Sequence, residues 1–279
     1  MANRNEVTTG IGLRMVRVAL RDTDNLIDVP AGWTAGTYYN GLRVGGAQAL
    51  TVTIPPPNRV VARGDDRAYH TFQLPPTEAP SGELRVSKTD MSVIALLTGV
   101  IVFGTSPLRK IGFGSDAQGD EPAVIMWGSR LGIDSDQGST NFGTQIWETY
   151  IFLNAVASPS PSSMEDQTVS ELTYAVAAND SGVDEMGTTF TAVTHGFTKT
   201  PFLLLITYGK FMLDAFIATA AQTAFTLSQG DTVNTSDQVF VSVNGVQLAT
   251  DAYSETGGVV TLDTPATASD KVLIAYGYD

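Results

Sequence analysis

Apolar and polar residues alternate with a period near two along most of the chain, and that period predicts strands. The segment Thr9–Arg21 sets Leu13, Met15/Val16, Val18 and Leu20 against Arg14, Arg17 and Arg21, a first strand with one basic face. Asp22–Asn25 and Ala31–Gly36 supply turn chemistry. Leu42–Val44 and Ala49–Ile54 read as further strands, the second stopped by Pro55, Pro56 and Pro57, because proline has no amide to give a ladder. Later strands are expected at Val100–Phe103, Leu108–Phe113, Ala123–Trp127, Thr144–Val156, Ser170–Ala178 and Thr188–Thr194, with Ser158–Ser163 as a surface loop. Between Pro55 and Gly82 the alternation gives way to Arg59, Arg63, Asp65, Asp66 and Arg67, followed by a strand-like Ala68–Leu74. A charged excursion bounded by prolines is either a flexible loop or a contact arm.

One segment changes period. Ser87–Gly99 predicts a helix with Ser87, Thr89 or Asp90 as its cap, Met91, Ile94, Ala95 and Leu97 as its buried stripe, and Gly99 as its left-handed stop. A helix of about three turns is marginal alone and must pack on the sheet.

The C-terminal runs Ala218–Leu227, Val239–Val246, Tyr253–Leu262 and Ala268–Tyr276 alternate again, around the turn pairs Asn244-Gly245 and Gly257-Gly258. An extra residue within Val241–Val243 is expected to make a bulge. The stretch Gly209–Asp214 departs from the apolar run Phe202–Tyr208, as a junction would. The pattern is therefore mainly β: a sandwich or barrel over 1–208 with one short helix, a junction at 209–216, and a small β domain over 217–279, whose strands are expected to be self-contained, helped by docking on a neighbour.

Composition narrows the function. With no cysteine, disulfides and thiolate metal sites are excluded. The net charge of −13 argues against a protein that grips nucleic acid, which needs a Lys/Arg surface. That charge is uneven: residues 1–130 carry 13 Lys and Arg against 12 Asp and Glu, residues 131–279 three against 17. Met1–Arg21 lacks the continuous apolar core of a secretory signal, and the apolar stretches Met91–Phe103 and Pro201–Ala221 are respectively too short and too interrupted to span a bilayer.

Catalytic chemistry is not expected. His70 and His195 stand apart in the sequence, and without cysteine they could hold zinc only with carboxylates. Gly10-Ile-Gly12 and Gly112-Phe-Gly114 lack the third glycine of a dinucleotide loop. Asp134–Gly138 begins like a calcium loop but has its glycine one place early and Gln145 where a bidentate Glu belongs. Trp33, Trp127 and Trp147 fit core or interface roles better than a sugar platform. No catalytic, metal-binding or cofactor-binding residue is assigned.

The order of elements resembles the major tail tube protein of long-tailed, siphovirus-like phages over residues 1–208: a strand after Thr9–Leu13, a proline-edged loop, the helix Thr89–Gly99, and a late strand running from Phe152 into Ser163. The C-terminal runs are similar to a small β module of phage fibre proteins. The resemblance implies a virion structural protein and not an enzyme. It would be assembled in the host cytoplasm into stacked, hexameric rings whose bore passes DNA without binding it specifically. Its partners would be further copies of itself, other tail proteins and, through the C-terminal module, a host surface, with no membrane insertion. By the same likeness Pro55–Pro80 would reach a neighbouring ring. The module over 217–279 would be dispensable for ring formation. The alternatives are a fibre or decoration protein binding a host surface, and a glycan-active enzyme.

Overall fold

In the computed structural model the described residues are 12–56, 58–64, 67–74, 79–87, 90–104, 110–111, 122–133, 143, 145–159, 172–191, 203–206, 210–230 and 239–278. The first part of the chain forms β1 (Gly12–Leu20), β2 (Leu42–Arg43), β3 (Ala47–Thr53), β4 (Asn58–Gly64), β5 (Arg67–Leu74), β6 (Ser81–Val86), α1 (Met91–Thr98), β7 (Val102–Phe103), β8 (Lys110–Ile111), β9 (Val124–Ile133), β10 (Gln145–Pro159), β11 (Leu172–Ala178) and β12 (Leu203–Ile206). The last part adds β13 (Lys210–Ile217), β14 (Gln222–Thr226), β15 (Val239–Val243), β16 (Val246–Gln247), β17 (Tyr253–Thr256), β18 (Val259–Ala266) and β19 (Lys271–Tyr278). The protein is mainly β, with three antiparallel sheets, two separate hairpins and a single helix among the described residues. No helix among them is long and apolar enough to cross a membrane.

The largest sheet runs β2-β1-β9-β10-β11-β6-β3, with β12 beside β10. Its two ends are consecutive pieces of one chain segment. β2 pairs with β1, the Val44 amide donates to Val16 O at 2.9 Å, and after Gly46 (φ 73°) the same segment continues as β3 along β6. Closure by a bent strand turns the sheet into a barrel without free edges there.

Alternation then sorts the side chains. Val16, Val18, Val124, Met126 and Phe152 point into the barrel and pack with Leu84, Tyr174 and Val176. The helix closes this core with Val93, Ile94 and Leu97. Asp90 caps it by accepting from the Ser92 amide, and Gly99 (φ 69°) ends it. Val93 takes the buried place expected of Met91 and Ala95, which are only half-buried.

The alternate residues of the same strands, Ala19, Ile125, Trp127, Ile151 and Leu153, point outward, yet they are buried too. They lie under a second sheet, β13-β19-β15-β16, through its Phe211, Leu213, Ala215, Leu273 and Ala275. The opposite face of that second sheet, Met212, Phe216, Val241, Ile274 and Tyr276, packs on Phe225, Val260 and Leu262 of the third sheet, β14-β18-β17. The molecule is thus a barrel and a sandwich that share an apolar layer.

Three expectations change. The junction at 209–216 is strand β13, in register with β19 from Lys210↔Tyr278 to Ile217↔Lys271. The bulge at Val241–Val243 is absent, because β15 pairs with β19 residue for residue. The C-terminal module is not self-contained, since its central sheet has one face in each core. Both glycine turns are as expected: Asn244 and Gly245 (φ 51° and 75°) and Gly257 and Gly258 (φ 59° and 77°) have the two left-handed residues of tight hairpins. Of the strand expected at 188–194, only Thr189 makes a bridge, to Val183, and residues beyond 191 lie outside the described ones.

Candidate assembly surfaces

Only some of the residues weighed for chemistry lie among the described ones. His70 stands in β5 opposite Ala62, while His195 and Asp134–Gly138 lie outside the described residues. Among the described residues no group of three or more His, Asp or Glu could hold a metal ion. The tryptophans separate by role. Trp127 is wholly buried in the shared layer, Trp147 is half-buried with the Lys210 ammonium 5.0 Å from its ring centre, and Trp33 is 46% exposed, edge-on to Tyr39.

The basic face expected on β1 is largely used up inside the molecule. Arg17 points outward from the barrel, but its Nη1 donates to Asn40 Oδ1 at 2.7 Å and to the carbonyls of Asn40 and Gly41. It pins the loop 30–41, whose Tyr39 exchanges two backbone hydrogen bonds with Ala215 and covers the outer strand of the second sheet. Gly41 (φ 71°) has no room for a side chain, since a Cβ there would stand 2.7 Å from Val18 O. Arg21 donates to the carbonyls of Asn25 and Asp184. Burial lowers its pKa to about 10, against the pull of Asp184, Glu185 and Asp22. Arg14 alone of the three is exposed.

These arginines stand at the joint between barrel and sandwich. Asp22 accepts the amides of Asp24 and Leu26 and forms an ion pair with Lys271. Asp184 folds the loop beside it by accepting from the Met186 and Thr188 amides. That loop meets the Asn244-Gly245 turn: Ser242 Oγ donates to Met186 O at 2.7 Å, and a Cβ on Gly245 would lie 2.8 Å from Gly187 O. Ser242 is the polar residue that made its strand look irregular, and its hydroxyl is spent on this contact.

Inside the sandwich the Asp214 carboxylate is wholly buried. Asp214 Oδ2 accepts from the Ser228 amide at 2.7 Å and from Tyr276 Oη at 2.9 Å, and Oδ1 accepts from Ser228 Oγ at 2.8 Å. Burial raises the Asp214 pKa, opposed by those hydrogen bonds and by Arg17. The Tyr276 pKa is raised by burial and by Asp214, which keeps its hydroxyl a donor. Every acceptor is occupied by a protein donor, the arrangement of a structural lock between two sheets.

The exposed features are of another kind. β4 and β5 pair with each other and with no other described strand, a separate hairpin between β3 and β6 in chain order. Ile54, 65% exposed, sits just before it. Past the helix, Ile101 and Phe103 are also more than half exposed, beside a groove of about 550 Å³ along Ala95, Leu96 and Gly99. A second groove of about 470 Å³ opens between β3 and β9, over Leu13, Leu50, Arg130 and Tyr150. Arg130 pairs there with the buried Glu148 and lies 5.7 Å from the Tyr150 ring centre.

These features define a class: a helix-closed β-barrel fused to a β-sandwich, with a separate hairpin and two grooves of mixed lining. No protein-family model matches the chain, and no curated protein matches its sequence.

Proposed function

We propose that the protein is a structural subunit of a phage tail tube, which assembles with its own copies into stacked rings around a bore that passes DNA. The observation that carries this reading is the β4–β5 hairpin. A two-stranded ribbon is marginal in water, and both of its outer edges are ready-made templates for another chain. A neighbouring copy that takes up the hairpin removes that liability in the act of assembling. Arg59, Arg63 and Arg67 in the hairpin sequence and the acidic surplus of residues 131–279 have opposite signs, so copies attract one another through ion pairs, each worth under about 1 kcal/mol where water reaches them. Acidic residues along the bore would keep a polyanion off the wall over roughly a Debye length, about 10 Å at moderate salt.

The test is replacement of residues 57–78 by a short Gly/Ser turn, with negative-stain images of both proteins. The expected result is hollow tubes from the full chain and dispersed subunits with an unchanged circular dichroism spectrum from the variant. Tubes of normal length from the variant would refute the role of the hairpin, and a full chain that never polymerises would refute the tube.

A further inference from the structure

The sequence contains two Asn-Gly pairs, Asn40-Gly41 and Asn244-Gly245. Asn-Gly is the dipeptide most open to spontaneous deamidation, because glycine puts no side chain in the way of attack by its own nitrogen. The fold treats the two pairs differently. Asn244 is exposed at the tip of the β15–β16 hairpin, yet its carboxamide is held at both ends. Oδ1 accepts from the Lys271 amide at 2.9 Å, and Nδ2 donates to Asp270 Oδ1 at 2.8 Å. The Asn244 amide also donates to Lys271 O. The side chain is therefore directed sideways to β19 and away from the Gly245 nitrogen. At the other pair, Asn40 Oδ1 accepts from Arg17 Nη1 at 2.7 Å.

We infer that Asn244 is a modification site, latched shut by Asp270 and Lys271, whose deamidation loosens the joint between barrel and sandwich. In the reaction the Gly245 nitrogen gives up its proton and bonds to Asn244 Cγ. The Cγ–Nδ2 bond breaks and ammonia leaves with that proton, giving a succinimide. Water then opens the ring at either carbonyl, to aspartate or isoaspartate. Aspartate puts a carboxylate where Nδ2 faced Asp270, replacing a hydrogen bond by a like-charge contact, while isoaspartate draws Cγ into the backbone, loses that hydrogen bond and leaves its free carboxylate on Cα. Isoaspartate also lengthens the backbone at a turn whose Gly245 already abuts Gly187 O. Aspartate at position 40 sets a carboxylate against the Arg17 guanidinium and is accommodated.

Peptide mapping by mass spectrometry, on full chain held at mildly alkaline pH, reads both sites at once from the mass gained when the amide NH₂ becomes OH. In the Asp270→Ala variant deamidation at Asn244 is expected to speed up about fivefold, the factor that one ordinary hydrogen bond gives, while Asn40 keeps its rate. Equal rates at Asn244 in the two proteins would overturn the latch. Should Asp270→Ala fail to fold, the direct products decide: Asn244→Asp is expected to lower the melting temperature and Asn40→Asp to leave it unchanged or raised. Identical shifts from the two would overturn the inference equally.

Discussion

A chain cut before residue 217 is expected to give no soluble, folded barrel. The cut removes β19, which pairs with β13 along its whole length, so β13 loses its partner and the layer of Ile125, Trp127, Ile151 and Leu153 loses Leu273 and Ala275 from its cover. A contiguous apolar face of that kind drives association with whatever is near. A graded version of the same experiment is Trp127→Ala, expected to cost about 3–5 kcal/mol, the range for truncating a large buried aromatic. That is a large share of a typical domain's total of about 5–15 kcal/mol. The cut chain is checked by its soluble fraction and near-ultraviolet circular dichroism, the point variant by urea unfolding. A soluble 1–216 fragment with native tertiary signals would show that the shared layer is a docking contact only.

Replacing Asp214 is the second large effect. Asp214→Ala should destabilise by about 2–5 kcal/mol, because the Ser228 amide and the Tyr276 hydroxyl lose a buried acceptor and each orphaned group costs about 1–3 kcal/mol. Asp214→Asn should cost less, since one amide oxygen can still accept both donors while the Ser228 hydroxyl turns to accept from the amide. Its pH signature differs from that of an ordinary surface carboxylate. Burial raises the folded-state pKa above the reference 3.8, so the native state binds this proton more tightly than the unfolded chain does. The contribution of Asp214 to stability is then most favourable below 3.8 and declines as pH rises through the raised folded value. Urea midpoints of the two proteins across that window measure it: the difference, wild type minus Asp214→Asn, should fall with rising pH. A difference that is flat or rises with pH would mean that the carboxylate is not penalised by burial.

Local chemistry made much of the fold legible. The strand at Leu13–Leu20, the Asp90 and Gly99 caps and the two glycine hairpins rest on residues within a few positions of one another. What stayed hidden depends on partners far along the chain. Lys210 and Asp214 gave β13 the look of a junction, because the groups that accommodate them, Trp147, Ser228 and Tyr276, lie far off in sequence. Strands β9, β10 and β19 are buried on both faces, so their alternation carries two meanings that a single sequence cannot separate. The bend at Gly46 takes its meaning from β1 and β6 on either side of it, strands that lie apart in the sequence. The surfaces proposed for assembly carry no motif at all: β5 was visible as the strand-like Ala68–Leu74, whereas β4 was hidden by its charges.

The layer between the two cores also orders events in time. Its middle strand, β19, leaves the ribosome after every strand that it covers, more than a hundred residues later than the end of β10. At synthesis rates of about 5–20 residues per second, the outer wall of the barrel is uncovered for roughly 5 to 20 s in each new chain. A protein made in many copies would meet its own unfinished siblings in that interval, so the same apolar layer that joins its halves sets a ceiling on how fast it can be produced without a chaperone to hold the wall.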